Sequence, residues 1–431
     1  MEKQVQPIYT DALILGGGVA GLWIANRLKN AGYDVAVLER DQLGCKQTLA
    51  SQGMIHGGMK YTLSGMLNPS SETLADMPRY WRQCLVGDGD VDLRNTRLMS
   101  DFFYLWSGNS LSDKLAGFFA SKTLTGRIEP VKLERLPPLF RHTDFEGNLY
   151  RLEDIVIDTH SLVANLEQHL KHRCFQWNWE SATWSMDQGV LSLIAQRDEK
   201  TYQIFAQQFI FAAGEGNGEL LSAVGAPAPK MQLRPLQQLM VKHRYPFSFY
   251  GHCIGASSLP RLTISTHKLD SGETIWYLGG QLAEDGVNLT PDALIVRAQE
   301  ELATIMPWIH LEEAEWSCLS INRAEPEQPN KQRPDQAYLG QASGINNLSV
   351  AWPTKLTLTP NLGNQMLDHL ISQDIQPKYH DAQRIAEFCP AATIGRNPWE
   401  HAFPPKVPIE ERLARLFPEN PFEGSTDEGD A

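Results

Sequence analysis

Residues 11–40 read DALILGGGVAGLWIANRLKNAGYDVAVLER, and this stretch decides the fold. A short apolar run, Ala12 to Leu15, meets a glycine turn. A helical segment follows, closed by Gly32, and a second apolar run, Val35 to Leu38, ends at an acid, Glu39. That order is a complete βαβ unit, two parallel strands joined by a crossover helix. Gly16, Gly18 and Gly21 give GxGxxG spacing directly after the first strand. The first glycine permits the tight turn, the second lets backbone approach a pyrophosphate, and the third lets the helix lie close against the strand. Phosphates then meet free N–H groups at the start of the helix, around Gly18, Val19, Ala20 and Gly21, where the helix dipole is positive. A carboxylate at Glu39, with Arg40 beside it, suits the two ribose hydroxyls of an adenosine and repels a 2′-phosphate. The spacing by itself leaves NAD and FAD both open.

The chain has 431 residues, more than one core comfortably supports, so two domains are expected. Its formal charge is −13 with Lys and Arg scattered, which argues against a nucleic-acid partner. A small anionic substrate stays compatible, because a few converging cations dominate a cleft whatever the net charge. Six cysteines, Cys45, Cys84, Cys174, Cys253, Cys318 and Cys389, show neither a CxxC pair nor metal-ligand spacing; reduced thiols and no metal are expected. The polar first eight residues and the short, glycine-broken run after them suit neither a signal peptide nor a membrane span, so a cytoplasmic location is expected.

A second buried strand is expected at Phe209 to Gly214, FIFAAG, after a polar alternating stretch from Trp177 to Gln208 that suits a meander. No second GxGxxG follows, against a reductase with separate FAD and NAD domains. With these segments in view, the chain resembles the D-amino-acid oxidase and glycerol-3-phosphate dehydrogenase superfamily of FAD-dependent oxidoreductases. Four segments carry the likeness: the fingerprint, SQGMIHGGMKY at 51–61, the stretch Asp154 to Leu170 leading to FIFAAG, and the run Arg333 to Asn364. The resemblance implies FAD as cofactor. It implies that a loop like Ser51 through Gly58, with Gly57 and Gly58, passes the flavin ring, that Ala213 and Gly214 close the second strand against the cofactor, and that Lys355, Leu356 and Thr357 meet the flavin pyrimidine.

The expected architecture is an α/β Rossmann-like FAD-binding domain interleaved with a mixed-sheet α+β substrate domain. The FAD domain is expected over 8–90, 149–231 and 333–375, and the substrate domain over 91–148 and 232–332. In the latter, alternation at Leu262 to His267 and Thr274 to Leu278 suits strands, and Thr290 with Pro291 starts a helix to Ile305. Residues 376–431 are expected to form a C-terminal extension, with a short helix carrying Ile409, Leu413 and Leu416 and an acidic, disordered end.

The expected activity is oxidation of a small, anionic CH–OH or CH–NH substrate by hydride transfer to flavin N5; the electron acceptor, whether oxygen, quinone or another, is not legible. His56 suits either a base that takes the hydroxyl or amine proton, or a brace for the glycine loop. The resemblance points to an arginine before the last FAD segment as a substrate clamp, with Arg323 favoured and Arg333 at the other end of the same loop. Lys355 suits a positive charge near flavin N1. Tyr250, His252 and Arg234 are weaker candidates for the substrate face. An FAD monooxygenase, which would normally show Gly-Asp where this chain has Leu339 to Gln341 as LGQ, and a non-catalytic flavoprotein are the alternatives.

Overall fold

The computed structural model describes residues 5–58, 69–107, 128–178, 182–255, 259–269 and 271–404. The fingerprint folds as strand Val5–Leu15, helix Val19–Asn30 and strand Val35–Glu39. The first strand has 11 residues rather than the four of its apolar run. Its early half alternates, with Val5, Pro7 and Tyr9 exposed and Ile8 and Thr10 buried. Only the later half, covered on both faces, reads as a continuous apolar stretch.

Five parallel strands form the heart of the first sheet, in the spatial order Cys174–Gln176, Val35–Glu39, Val5–Leu15, Lys200–Phe211 and Leu348–Trp352. Strand alternation sends Ala12 and Ile14 to one core and Leu13 and Leu15 to another. The first core is roofed by helices Val19–Asn30, Thr159–His169 and Thr359–Ser372. The second lies under the antiparallel meander of Thr183–Asp187, Val190–Arg197 and Lys200–Phe211, the meander expected before FIFAAG.

A second, mixed sheet of eight strands includes Leu262–Lys268 and Thr274–Gly279, with bounds close to those expected. Its longest ribbon pairs Met231–His243 with Glu315–Pro326. Leu239, Val241, Trp276 and Leu278 face the helix Pro291–Ile305, whose N-cap Thr290 accepts a hydrogen bond from Ala293 N. Met240, Ile275 and Tyr277 face the opposite way. A small sheet of Met54–Ile55, Ile155–Ile157 and Leu98–Ser100 lies between the large ones in sequence.

The segment from Ile375 to Pro404 runs from one large sheet to the other. Lys378 N and Tyr379 N donate to the fully buried Asp11 at 3.0 and 3.1 Å, and Ala382 N donates to buried Asp34 at 2.8 Å. Bridges Phe175–Ala391 and Leu43–Ile394 continue along the first sheet. Trp399, in the short helix Pro398–Ala402, then stacks on His267 of the second sheet at 3.9 Å. The expected helix carrying Ile409, Leu413 and Leu416, and the acidic end, lie outside the described residues.

Candidate functional site

The helix Val19–Asn30 begins at Gly18 with no side-chain cap of its own and no acidic residue in its first turn. Its N–H groups open onto a cleft of about 280 Å³ lined by Gly16, Gly18, Val19 and Ala20. Gly16 has φ of +113°, and a methyl group there would stand 2.5 Å from Ala212 O. At Gly21 a methyl group would collide with Gly16 O, so this glycine sets how near the helix approaches the strand and does not line the cleft. Glu39 marks the far end. Its two carboxylate oxygens accept from Gly17 N at 2.6 Å and Asp41 N at 2.9 Å, while burial raises its pKa above the ordinary value. A carboxylate has about four acceptor sites, so Glu39 keeps capacity for a ribose hydroxyl beside its backbone donors.

The loop after the βαβ unit forms the next wall, and its part was missed by the sequence reading. Thr48 Oγ1 accepts from Val19 N at 3.0 Å, and Gln42, Lys46, Gln47, Thr48 and Ala50 line the cleft with Ser51. A polar loop residue at an unpaired helix N–H is the one local signal that could have found Thr48. Ala213, Gly214 and Glu215 close the cleft after the strand Lys200–Phe211, and Arg40 at the outer end pairs with Glu219 at 2.9 Å.

Across the cleft, Leu236 and Gln238 of one strand and Ile321 and Arg323 of its partner present side chains from the second sheet. Three arginines gather at one end. Arg234 grips fully buried Glu325 through two bonds of 2.7 and 2.8 Å. Arg323 donates to Glu284 at 2.9 Å and to Arg234 O at 3.3 Å. Burial, then the neighbouring charges of Arg234 and Arg333, lower the Arg323 pKa. Arg333 lines the same cleft, and its buried Nε has no hydrogen-bond partner among the described residues.

At the floor, Lys355 and Leu356 line the cleft, with Lys355 Nζ 2.9 Å from Asp335. Thr357 is fully buried behind them; it accepts from His56 N at 3.1 Å through Oγ1 and from Trp81 Nε1 at 3.0 Å through its carbonyl. Gly57 N donates to Asp154 at 2.8 Å. The cleft's described lining therefore holds Gly16, Gly18, Val19, Ala20, Glu39, Arg40, Ser51, Ala213, Gly214, Arg323, Lys355 and Leu356 of the expected residues. It does not include Gly21, His56, Gly57, Gly58 or Thr357. Tyr250 and His252 stand within the second sheet, bonded to Thr266 O and Thr263 Oγ1, away from this lining.

A helix start whose N-cap is a glycine with no side chain of its own, small residues at two strand ends, and a carboxylate with spare acceptor sites fit the pyrophosphate and ribose of a dinucleotide. The profile of the FAD dependent oxidoreductase family matches residues 11–324, and the chain belongs to that family; FAD is its cofactor and it is an oxidoreductase. A probable FAD-dependent oxidoreductase of Pseudomonas aeruginosa is 42% identical over 399 residues, covering 92% of this chain and 99% of the relative. A crystal structure of an FAD-dependent oxidoreductase from the same organism superposes with a TM-score of 0.78 at 38% identity, over 93% of this chain and 100% of the other. Glycine oxidase from Geobacillus kaustophilus, at 16% identity and a TM-score of 0.62 over 86% and 97% of the two chains, shares the fold. None of the described helices is long and apolar enough to cross a membrane.

Proposed function

We propose that this FAD enzyme oxidises a small CH–OH or CH–NH compound carrying a carboxylate or phosphate, which docks between the flavin and the second-sheet wall. The first sheet and its helices, over 8–90, 149–231 and 333–375, hold the cofactor, and 91–148 with 232–332 hold the substrate. FAD, when bound, accepts the hydride from the substrate carbon at N5. The chain's task is to place that carbon and to balance charge.

The observation that carries the reading is Arg333, a cleft-lining guanidinium whose buried Nε lacks a partner among the described residues. Arg323 and Arg234 stand with it but already serve Glu284 and Glu325. A carboxylate or phosphate suits the remaining donors, since a planar guanidinium binds either through paired bonds. Lys355 adds positive charge at the floor, shared with Asp335. Of the two roles open to His56, its place outside the described lining of the cleft supports bracing over proton transfer; the bond to Thr357 is made by its main-chain N. The six cysteines are free thiols, which supports a reducing, cytoplasmic setting.

The test is anaerobic titration of the FAD-loaded protein with 2-hydroxy acids, amino acids, polyol phosphates and their uncharged analogues, read as loss of the flavin absorbance. Bleaching by one anionic class and not by its neutral analogues is expected. Bleaching by neutral analogues alone, or by no compound in the panel, overturns the reading.

A further inference from the structure

The loop that follows strand Val35–Glu39 is attached to both walls of the cleft. On one side Thr48 bonds to Val19 N at the helix start. On the other, three neighbours reach the second sheet. Gln47 Oε1 accepts from Ala324 N at 3.1 Å, Ala50 O lies 2.8 Å from the Tyr277 hydroxyl, and Gln52 Nε2 donates to Tyr277 O at 2.7 Å. Ser51, which lines the cleft, is held between the last two. Gln52 also fills the space over Gly279, where a methyl group would come within 2.6 Å of its Oε1.

Tyr277 is the centre of this arrangement. Its ring is fully buried, with Trp399 at 6.0 Å behind it. Its hydroxyl lies 2.6 Å from Gln238 Oε1 as well as 2.8 Å from Ala50 O. Ala50 belongs to the cofactor side and Gln238 to the substrate side, and both line the cleft. One phenol proton serves two acceptors, so the bond is shared or the Gln238 amide turns to donate to the phenol oxygen. Both arrangements keep one oxygen atom bonded to both walls. A buried bond of this kind is costly to leave unmade, so the gap between the walls is held against drift.

We propose that Tyr277 is a positioning residue for the oxidation: through Ala50 and Gln238 it fixes the separation between the flavin and the substrate wall. The inference rests on the reading that substrate docks at that wall. It assigns Tyr277 no contact with substrate and no proton to transfer. Its effect is on distance, to which transfer between held groups is steep, a misplacement of about 1 Å costing on the order of a hundredfold.

The test is Tyr277→Phe, compared with the parent as FAD-loaded full chains. FAD content and reduction by dithionite are expected to stay unchanged. Amide exchange over 47–52 is expected to rise and the visible flavin bands to shift. With whichever substrate bleaches the parent, flavin reduction should slow by about tenfold while substrate affinity changes less than about threefold. Gln47→Met, which cuts the bond at the rim and leaves the core intact, should shift exchange and rate the same way by less. Unchanged exchange and bands in both variants overturn the proposal, as does loss of FAD and thermal stability together in Tyr277→Phe with no effect in Gln47→Met. If no compound reduces the parent, the docking reading fails, while exchange and band position still judge the attachment.

Discussion

Around the helix start, the cofactor side of the cleft is built from small residues: Gly16, Gly18, Ala213 and Gly214 offer amides and almost no side chain. On the opposite side Leu236, Gln238, Ile321 and Arg323 reach in from two paired strands. The glycines of the first wall are small and at fixed spacing within one βαβ unit, and Ala213 and Gly214 join them from the end of the neighbouring parallel strand. The second needs side chains of particular lengths from residues far apart, such as Arg234 and Glu325, 91 positions from each other. A backbone wall tolerates little change and serves one ligand. A side-chain wall can be rewritten strand by strand, which is where the proposed docking would set substrate choice.

The largest effect is expected from Gly21→Ala, whose methyl group meets Gly16 O. The helix must retreat, at about 3 kcal/mol, and FAD binding should fail with it. Gly18→Ala separates the two roles of that wall. Its nearest obstacle is Thr48 Oγ1 at 3.3 Å, so the apo-protein should lose less than about 1 kcal/mol while FAD affinity falls by about tenfold or more. Thermal melts of the apo-proteins beside fluorescence titrations with FAD check this; parallel losses in both variants would break the distinction.

On the side-chain wall, Arg333→Ala should raise KM for an anionic substrate by about 10- to 100-fold, the weight of one charge-assisted bond, and leave FAD affinity alone. Arg323→Ala should cost less, its guanidinium being committed to Glu284. Steady-state kinetics decides the order, and a reversed order would move the clamp to Arg323.

Acid should loosen the second sheet through His243 and His267, both buried and both held by burial at a pKa of about 4 against an ordinary 6.5. Between these values the unfolded chain takes up protons that the folded chain refuses. Stability is therefore complete above pH 6.5 and is lost as the pH falls towards 4, by about 1.4 kcal/mol per pH unit for each histidine. His267→Phe keeps a ring on Trp399 and should flatten that acid limb in melts taken from pH 7 to 4.5, roughly; a limb of unchanged steepness would place the proton uptake elsewhere. The smallest effect is expected from Thr48→Val, which leaves Val19 N without its partner and should weaken FAD binding by about 1 kcal/mol, near fivefold, in the same titration.

How much could be read in advance follows the same divide. Gly16, Gly18, Gly21 and Glu39 are legible because strand, turn, helix and acid lie within 30 residues and each constraint is local. The meander before FIFAAG and the helix opened by Thr290 and Pro291 are legible for the same reason. Gln47 with Ala324 and Tyr277 with Ala50 are 277 and 227 positions apart, and nothing in either residue type announces the bond. Loop glutamines and core tyrosines usually have humbler roles, so composition could not pick these out. Arg323 and Arg333 were visible as a pair, but which of them is already engaged depends on Glu284, a residue of another element.

The buried carboxylate of Asp11 bears on how the molecule is made. Its partners are Asp34 N, Gln207 Nε2, Lys378 N and Tyr379 N, the last 368 positions downstream. The first strand also waits for Lys200–Phe211 before it gains its longest parallel neighbour. On a ribosome, then, the nucleotide-binding half cannot finish when its own fingerprint emerges. Until the crossing segment from Ile375 to Pro404 arrives, an acid inside the nascent sheet keeps two acceptor sites unfilled and in need of water. Such long-range closure slows folding and lengthens the time that strand edges stay open to other chains, so the route by which this chain encloses its cofactor keeps its first sheet exposed until the last described segment is made.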